Sequence, residues 1–133
     1  MQPVPASTIA FTIGDHKINV GHFVHAIVKR PNLTLNGQYV FATTETTTLG
    51  KLLEYWSEIT GKEAEYVQIS LDEYNRLWPQ WGLEVGQDLK CWAEFGAETW
   101  GSENWIGKEE LGLGQELVGF REALVTLVER SHN

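Results

Sequence analysis

The residues best equipped for chemistry lie between Tyr74 and Trp105, in the stretch YNRLWPQWGLEVGQDLKCWAEFGAETWGSENW. Five of the six tryptophans fall here, Trp78, Trp81, Trp92, Trp100 and Trp105, together with Phe95, and they alternate with the carboxylates Glu84, Asp88, Glu94, Glu98 and Glu103. Indole rings are large, rigid and amphipathic, so this spacing fits the wall of an apolar pocket and an ordinary core alike. Asp88 is the most informative of the acids. On a helix it sits at the edge of the apolar stripe, within one turn of Trp92 and between the directions of Trp92 and Phe95. A carboxyl group desolvated against indoles has its pKa raised and becomes a proton donor near neutrality; the plainer reading is a partly exposed acid or an ion-pair partner.

Three further side chains complete the candidate constellation. Arg121 projects into the middle of an apolar helical face, so its guanidinium must snorkel or meet an anion, either an acid such as Asp88 or Glu110 or a ligand. Tyr74 is an alternative orienting donor. His25 is a further proton carrier, although its place on the flank of its helix also fits a solvated side chain.

The elements that must position these groups follow from local pattern. Met1 to Ala6 reads as an extended leader, and Ser7 to Ile13 alternates as a short strand. Asn19 is the expected cap of a helix from Val20 to Lys29, whose apolar face is Val20, Phe23, Val24, Ile27 and Val28, with Pro31 ending it. A turn at Asn36 and Gly37 precedes a strand over Gln38 to Ala42, and Thr43 to Thr48 offers caps for a second helix. That helix presents Leu49, Leu52, Leu53, Trp56 and Ile59, and Gly61 stops it. A strand follows at Glu65 to Ile69. Ser70 and Glu73 have capping-box spacing and start a short helix carrying Tyr74, Leu77 and Trp78 up to Pro79.

A longer helix is predicted from about Glu84, with Val85, Leu89, Trp92, Ala93, Gly96 and Trp100 on its inner stripe. Gly101 to Gly114 reads as a glycine-rich loop with at most one helical turn at Lys108 to Leu111, able to act as a lid. The last helix, Glu116 to Arg130, carries Leu117, Phe120, Leu124, Val125, Leu127 and Val128. The fold class is therefore α+β, a small single domain of four to five helices with a few short strands, spanning residues 1–133.

Composition limits what such a domain does. The chain has 133 residues, 42% of them hydrophobic, and 10 basic against 18 acidic side chains give a formal charge of −8. That balance repels phosphate backbones and anionic lipid, so neither nucleic acid nor membrane is an expected partner. The N-terminal residues lack the basic start and the apolar length of a signal peptide or membrane span. The single Cys91 excludes an internal disulfide, and a cytoplasmic location is expected. No glycine-rich dinucleotide loop, P-loop, G-x-S-x-G or H-E-x-x-H occurs, and His16, His22, His25 and His132 have no convincing metal spacing. No cofactor and no metal are expected.

Three runs, INVGHFVHAIVKRP, LNGQYVFATTETTTLGKLLEYWSEITGKEAEYVQISLDEY and EELGLGQELVGFREAL, resemble the C-terminal half of the NmrA-like proteins, atypical relatives of the short-chain dehydrogenases common in fungi. The likeness covers most of residues 9–128, and Asn19 stands where such proteins often carry an acidic residue. The resemblance implies a substrate-side half whose Rossmann half, with the dinucleotide loop, precedes it in full-length relatives. It also implies an apolar face that a homodimer would cover.

The function expected is a cofactor-independent enzyme of fungal secondary metabolism, an isomerase, lyase or cyclase acting on an apolar polycyclic or prenylated small molecule. Asp88 would be its acid or base, Arg121 or Tyr74 the orienting donor and His25 a further candidate. Trp78, Trp81, Trp92, Phe95, Trp100 and Trp105 would line the substrate pocket. The alternative is a non-catalytic metabolite-binding or dimerisation module, or a fragment of an NAD(P)-dependent NmrA-like reductase.

Overall fold

The computed structural model describes residues 1–100 and 104–131. Glu103, His132 and the first part of the expected Gly101 to Gly114 loop lie outside the described residues. The elements run in the order β1 (Ile9–Thr12), α1 (His16–Lys29), α2 (Pro31–Thr34), β2 (Glu45–Thr48), α3 (Leu49–Thr60), α4 (Leu71–Leu77), α5 (Pro79–Phe95), a 3-10 turn (Gly96–Glu98) and α6 (Phe120–Ser131). Strands β1 and β2 pair as a two-stranded antiparallel sheet. The class is α+β, as the sequence pattern predicts. The chain forms two compact units, one built from Met1–Ala10 and Thr47–Ser102, the other from Phe11–Thr46 and Glu103–Asn133.

In the first unit the N-terminal residues are extended and held. Gln2 forms a parallel bridge with Gln68, and the Tyr66 hydroxyl donates to the Val4 carbonyl at 3.0 Å. Pro3 and Val4 are buried as a result. The expected strand over Glu65 to Ile69 is reduced to that one bridge, since only the backbone around Gln2 offers it a partner. Helix α3 begins on the Thr48 hydroxyl, which accepts from the Lys51 N–H, and ends at Gly61 with φ 67°. A left-handed residue at that position favours glycine because it has no Cβ to clash with its own backbone. The other threonines of the run do not serve as caps. Glu45 to Thr48 form β2 instead, in keeping with the fit of β-branched side chains to a pleated strand.

The second unit has its core around Phe23, Ala26, Ile106 and Leu111, with Ile27, Leu33, Val40 and Leu117 packed against it. Helix α1 starts at His16 rather than Val20, because Asp15 and not Asn19 is the cap, its carboxylate accepting from the Lys17 N–H at 2.9 Å. Asn19 is instead fully buried, 0% exposed, and ties the backbone at Ile13 and Val118 to α1. Its Nδ2 donates to the carbonyls of Ile13 at 2.6 Å and Val118 at 2.7 Å, and its Oδ1 accepts from the Val118 N–H at 3.0 Å. The inward face of α1 is therefore Asn19, Phe23 and Ala26, and Val20, Val24 and Val28 are exposed.

The same clamp shortens the last helix. Asn19 and the Asp15 N–H engage Val118 in a non-helical conformation, so α6 begins at Phe120 and not at Glu116. The Phe120 N–H is received by the Glu45 carboxylate at 2.7 Å, a cap supplied from 75 positions away in sequence. The expected strand at Gln38 to Ala42 is a single parallel bridge, Val40 with Ile106. The helical turn foreseen at Lys108 to Leu111 is present as hydrogen-bonded turns over residues 108–112.

Candidate functional site

Helix α4 is started by the capping box the sequence announces: the Ser70 hydroxyl accepts from the Glu73 N–H, and the Glu73 carboxylate accepts from the Ser70 N–H and hydroxyl. These hydrogen bonds to its ionised form hold the Glu73 carboxyl below its ordinary range. Pro79 then opens α5 rather than simply ending α4. At the first helical position a proline gives up no hydrogen bond and its ring pre-sets φ.

The two helices pack through glycine. Gly82, Gly86 and Leu89 form the buried seam of α5, and a Cβ on Gly82 would come within 2.6 Å of the Asn75 Cα. One on Gly86 would meet the Leu71 Cδ1 at 2.8 Å. Absent side chains at positions four apart let the backbones of α4 and α5 approach closely. This Gly82–Gly86 spacing is visible in the sequence, and its meaning becomes legible once Asn75 and Leu71 lie opposite it.

Fixing that seam decides what the rest of α5 presents. At about 100° per residue, Trp81, Asp88, Trp92 and Phe95 fall together on one side of the helix, about a quarter turn or more from the buried glycines. Trp81 is 66% and Phe95 53% exposed, Asp88 is exposed, and Trp92 is half-buried. A shallow depression of about 610 Å³ at the start of α5 is lined by Pro79, Gln80, Trp81, Leu83, Glu84 and Val85. Tyr74 is buried on α4, its ring tilted against that of Trp78 with centroids 4.8 Å apart, while Trp78 itself is exposed. Gly96, with φ 54°, ends α5 at Phe95. Gly96 and Trp100 therefore leave the helical stripe on which the periodicity puts them, and Trp100 follows the 3-10 turn, exposed. Ala93, also expected on the inner stripe, is exposed.

The remaining candidates belong to the second unit. His25 is exposed on α1. Trp105 is half-buried and its ring lies 5.0 Å from that of Phe41, which in turn packs edge-on against Phe11 at 5.3 Å. Arg121 is exposed in the first turn of α6, with the half-buried Leu124, Val125 and Val128 three, four and seven positions on. Asp88 and Arg121 thus stand in separate units, each described by its own surroundings.

Among the described residues no group of three or more His, Cys, Asp or Glu side chains is placed to hold a metal ion. No helix among them is long and apolar enough to cross a membrane. Sequence reasoning missed Asn19 as a clamp and Glu45 as a distant cap. Their partners, Ile13, Val118 and Phe120, are set by tertiary structure, and local spacing carries no signal of them.

Fold and face together define an α+β protein with an aromatic, carboxylate-bearing surface along one helix. The profile of the NmrA-like family matches residues 1–115, and the chain belongs to that family. No curated protein and no solved structure matches it.

Proposed function

We propose that this chain is a metabolite-binding module of the NmrA-like family, and that the α5 face of Trp81, Asp88, Trp92 and Phe95 is its contact surface for an apolar ring-bearing small molecule. The observation that carries this reading is the grouping of aromatic rings about a carboxylate on one side of α5, with Trp81 and Phe95 more than half exposed. Rings left in water at such density gain by covering an apolar ligand, and a carboxylate among them accepts a hydrogen bond from a hydroxyl or amine on it. Trp78, exposed at the start of α5, is a further ring at that end of the helix.

A second reading keeps the catalytic roles. Asp88 as proton carrier would serve a cofactor-independent isomerase, lyase or cyclase if a second copy covered the α5 face and excluded water from it. The exposure of that face favours such a cover. In this reading Tyr74 is an orienting donor and Trp100 a further substrate contact, while Trp105, His25 and Arg121 belong to the second unit and take no part in this face.

Tryptophan fluorescence during titration with a panel of polycyclic and prenylated phenols tests the binding module, with Trp81→Ala and Asp88→Asn as variants. Saturable quenching that weakens about tenfold in each variant is expected, a loss typical of removing one aromatic anchor or one charge-assisted hydrogen bond. Equal titration curves in wild type and Trp81→Ala would remove the α5 face as the site. Turnover of a bound phenol, abolished in Asp88→Asn with ligand affinity kept, would select the catalytic reading.

A further inference from the structure

The second unit holds a cavity that the α5 face does not explain. It has a volume of about 210 Å³ and is lined by Gly14, Asp15, His16 and Lys17 before and within the start of α1, and by Phe120, Ala123, Leu124, Thr126, Leu127 and Arg130 along α6. Its floor is apolar, since Phe120, Ala123, Leu124 and Leu127 recur at i, i+3, i+4 and i+7 on one face of α6. Leu127 remains 61% exposed there, so the floor is only partly covered.

Its rim is cationic. Lys17 and Arg130 are fixed positive charges, His16 stands beside them, and none of the three makes an ion pair among the described residues. Asp15 is the one carboxylate in the lining, and its Oδ1 is already engaged by the Lys17 N–H as the cap of α1. Two cations facing one committed carboxylate make a local positive excess in a chain whose formal charge is −8. An apolar floor with cations at the mouth matches a molecule with a hydrocarbon body and one anionic end.

We infer that this cavity is a binding site for a medium-chain monocarboxylate, the alkyl chain lying on Phe120, Ala123, Leu124 and Leu127 and the carboxylate meeting Lys17 and Arg130. The site is independent of the α5 face and does not rest on the function proposed for it. No tryptophan lines the cavity, so its occupation is silent to the fluorescence assay above.

Calorimetric titration with octanoate, and separately with 1-octanol as the uncharged equivalent, tests the assignment. One saturable site is expected, with octanoate bound about tenfold or more tightly than 1-octanol through its charge-assisted hydrogen bonds. Both cations are exposed, so Lys17→Gln with Arg130→Gln should fold normally and should lose the preference for octanoate while keeping the weak affinity for 1-octanol. Backbone amide shifts on octanoate addition should centre on Gly14, Lys17, Ala123 and Leu127. Equal affinity for the acid and the alcohol, undiminished octanoate binding in the double variant, shifts centred on Trp81 and Phe95, or absence of binding would each overturn the assignment.

Discussion

Asn19→Asp replaces a buried amide with a carboxylate of nearly the same shape, and the structure gives a definite expectation for it. The wild-type amide makes three hydrogen bonds with no exposure to water, two as donor and one as acceptor. An aspartate keeps the acceptor role toward the Val118 N–H but has no Nδ2. The Ile13 carbonyl loses the donor it has from Asn19, the Val118 carbonyl keeps only the Asp15 N–H at 3.2 Å, and a carboxylate oxygen faces both. Losing two buried donors costs about 1–2 kcal/mol each, and a desolvated carboxylate against two carbonyl dipoles adds to that, for about 3–5 kcal/mol at pH 7. Such a loss is a fifth or more of the about 5–15 kcal/mol that holds an ordinary domain folded.

The same variant should show an inverted acid response. Burial and the facing carbonyls raise the folded-state pKa of the new carboxyl above its unfolded value of about 3.9. Between those two values the folded state binds the extra proton, so the penalty relative to wild type shrinks as pH falls. The protonated carboxyl can then donate one of the two missing hydrogen bonds. Urea unfolding followed by circular dichroism at pH 7 and about pH 4.5, with wild type measured at each pH, reads both effects. A variant within about 1 kcal/mol of wild type at pH 7, or a penalty that grows on acidification, would refute the assignment of Asn19 as the donor of this clamp.

Two further expectations concern the helices. Gly82→Ala should destabilise by about 2–3 kcal/mol because its Cβ meets the Asn75 backbone, although alanine is the better helix former; Gly21→Ala, whose Cβ would touch nothing within 4 Å, should stabilise by about 0.5–1 kcal/mol. Thermal melts of both variants check the contrast, and a stabilised Gly82→Ala would contradict the close α4–α5 approach. Ser70→Ala should cost about 1 kcal/mol through the lost cap. It should also flatten the acid limb of the stability profile: the Glu73 carboxyl, held low by Ser70, stabilises the fold above its ordinary value of 4.5 and loses that contribution as pH falls through its lowered one. Urea midpoints of wild type and Ser70→Ala across the acid range measure both parts.

The sequence by itself determined the features whose cause is local. The α+β class, the Ser70–Glu73 capping box, the stop of α3 at Gly61 and the turn at Lys108 to Leu111 each depend on residues within a few positions of one another, and each is present. Family membership was legible for a related reason, because it rests on the order of such local runs along the chain. Tertiary structure decided which side of each helix faces inward. Periodicity shows that α1 has an apolar stripe, yet a buried amide hydrogen-bonded to Ile13 and to the distant Val118 turns Asn19, Phe23 and Ala26 inward and leaves Val20, Val24 and Val28 in water. In α5 the bulkiest apolar residues suggested the inner stripe, while the missing side chains of Gly82 and Gly86 allowed the closest approach of a neighbouring backbone and so became the seam. That choice exposes Trp81, Asp88 and Phe95 together. Hydrophobic pattern counts side chains that are present; packing is also set by the space left where they are absent and by polar groups that must find partners far along the chain.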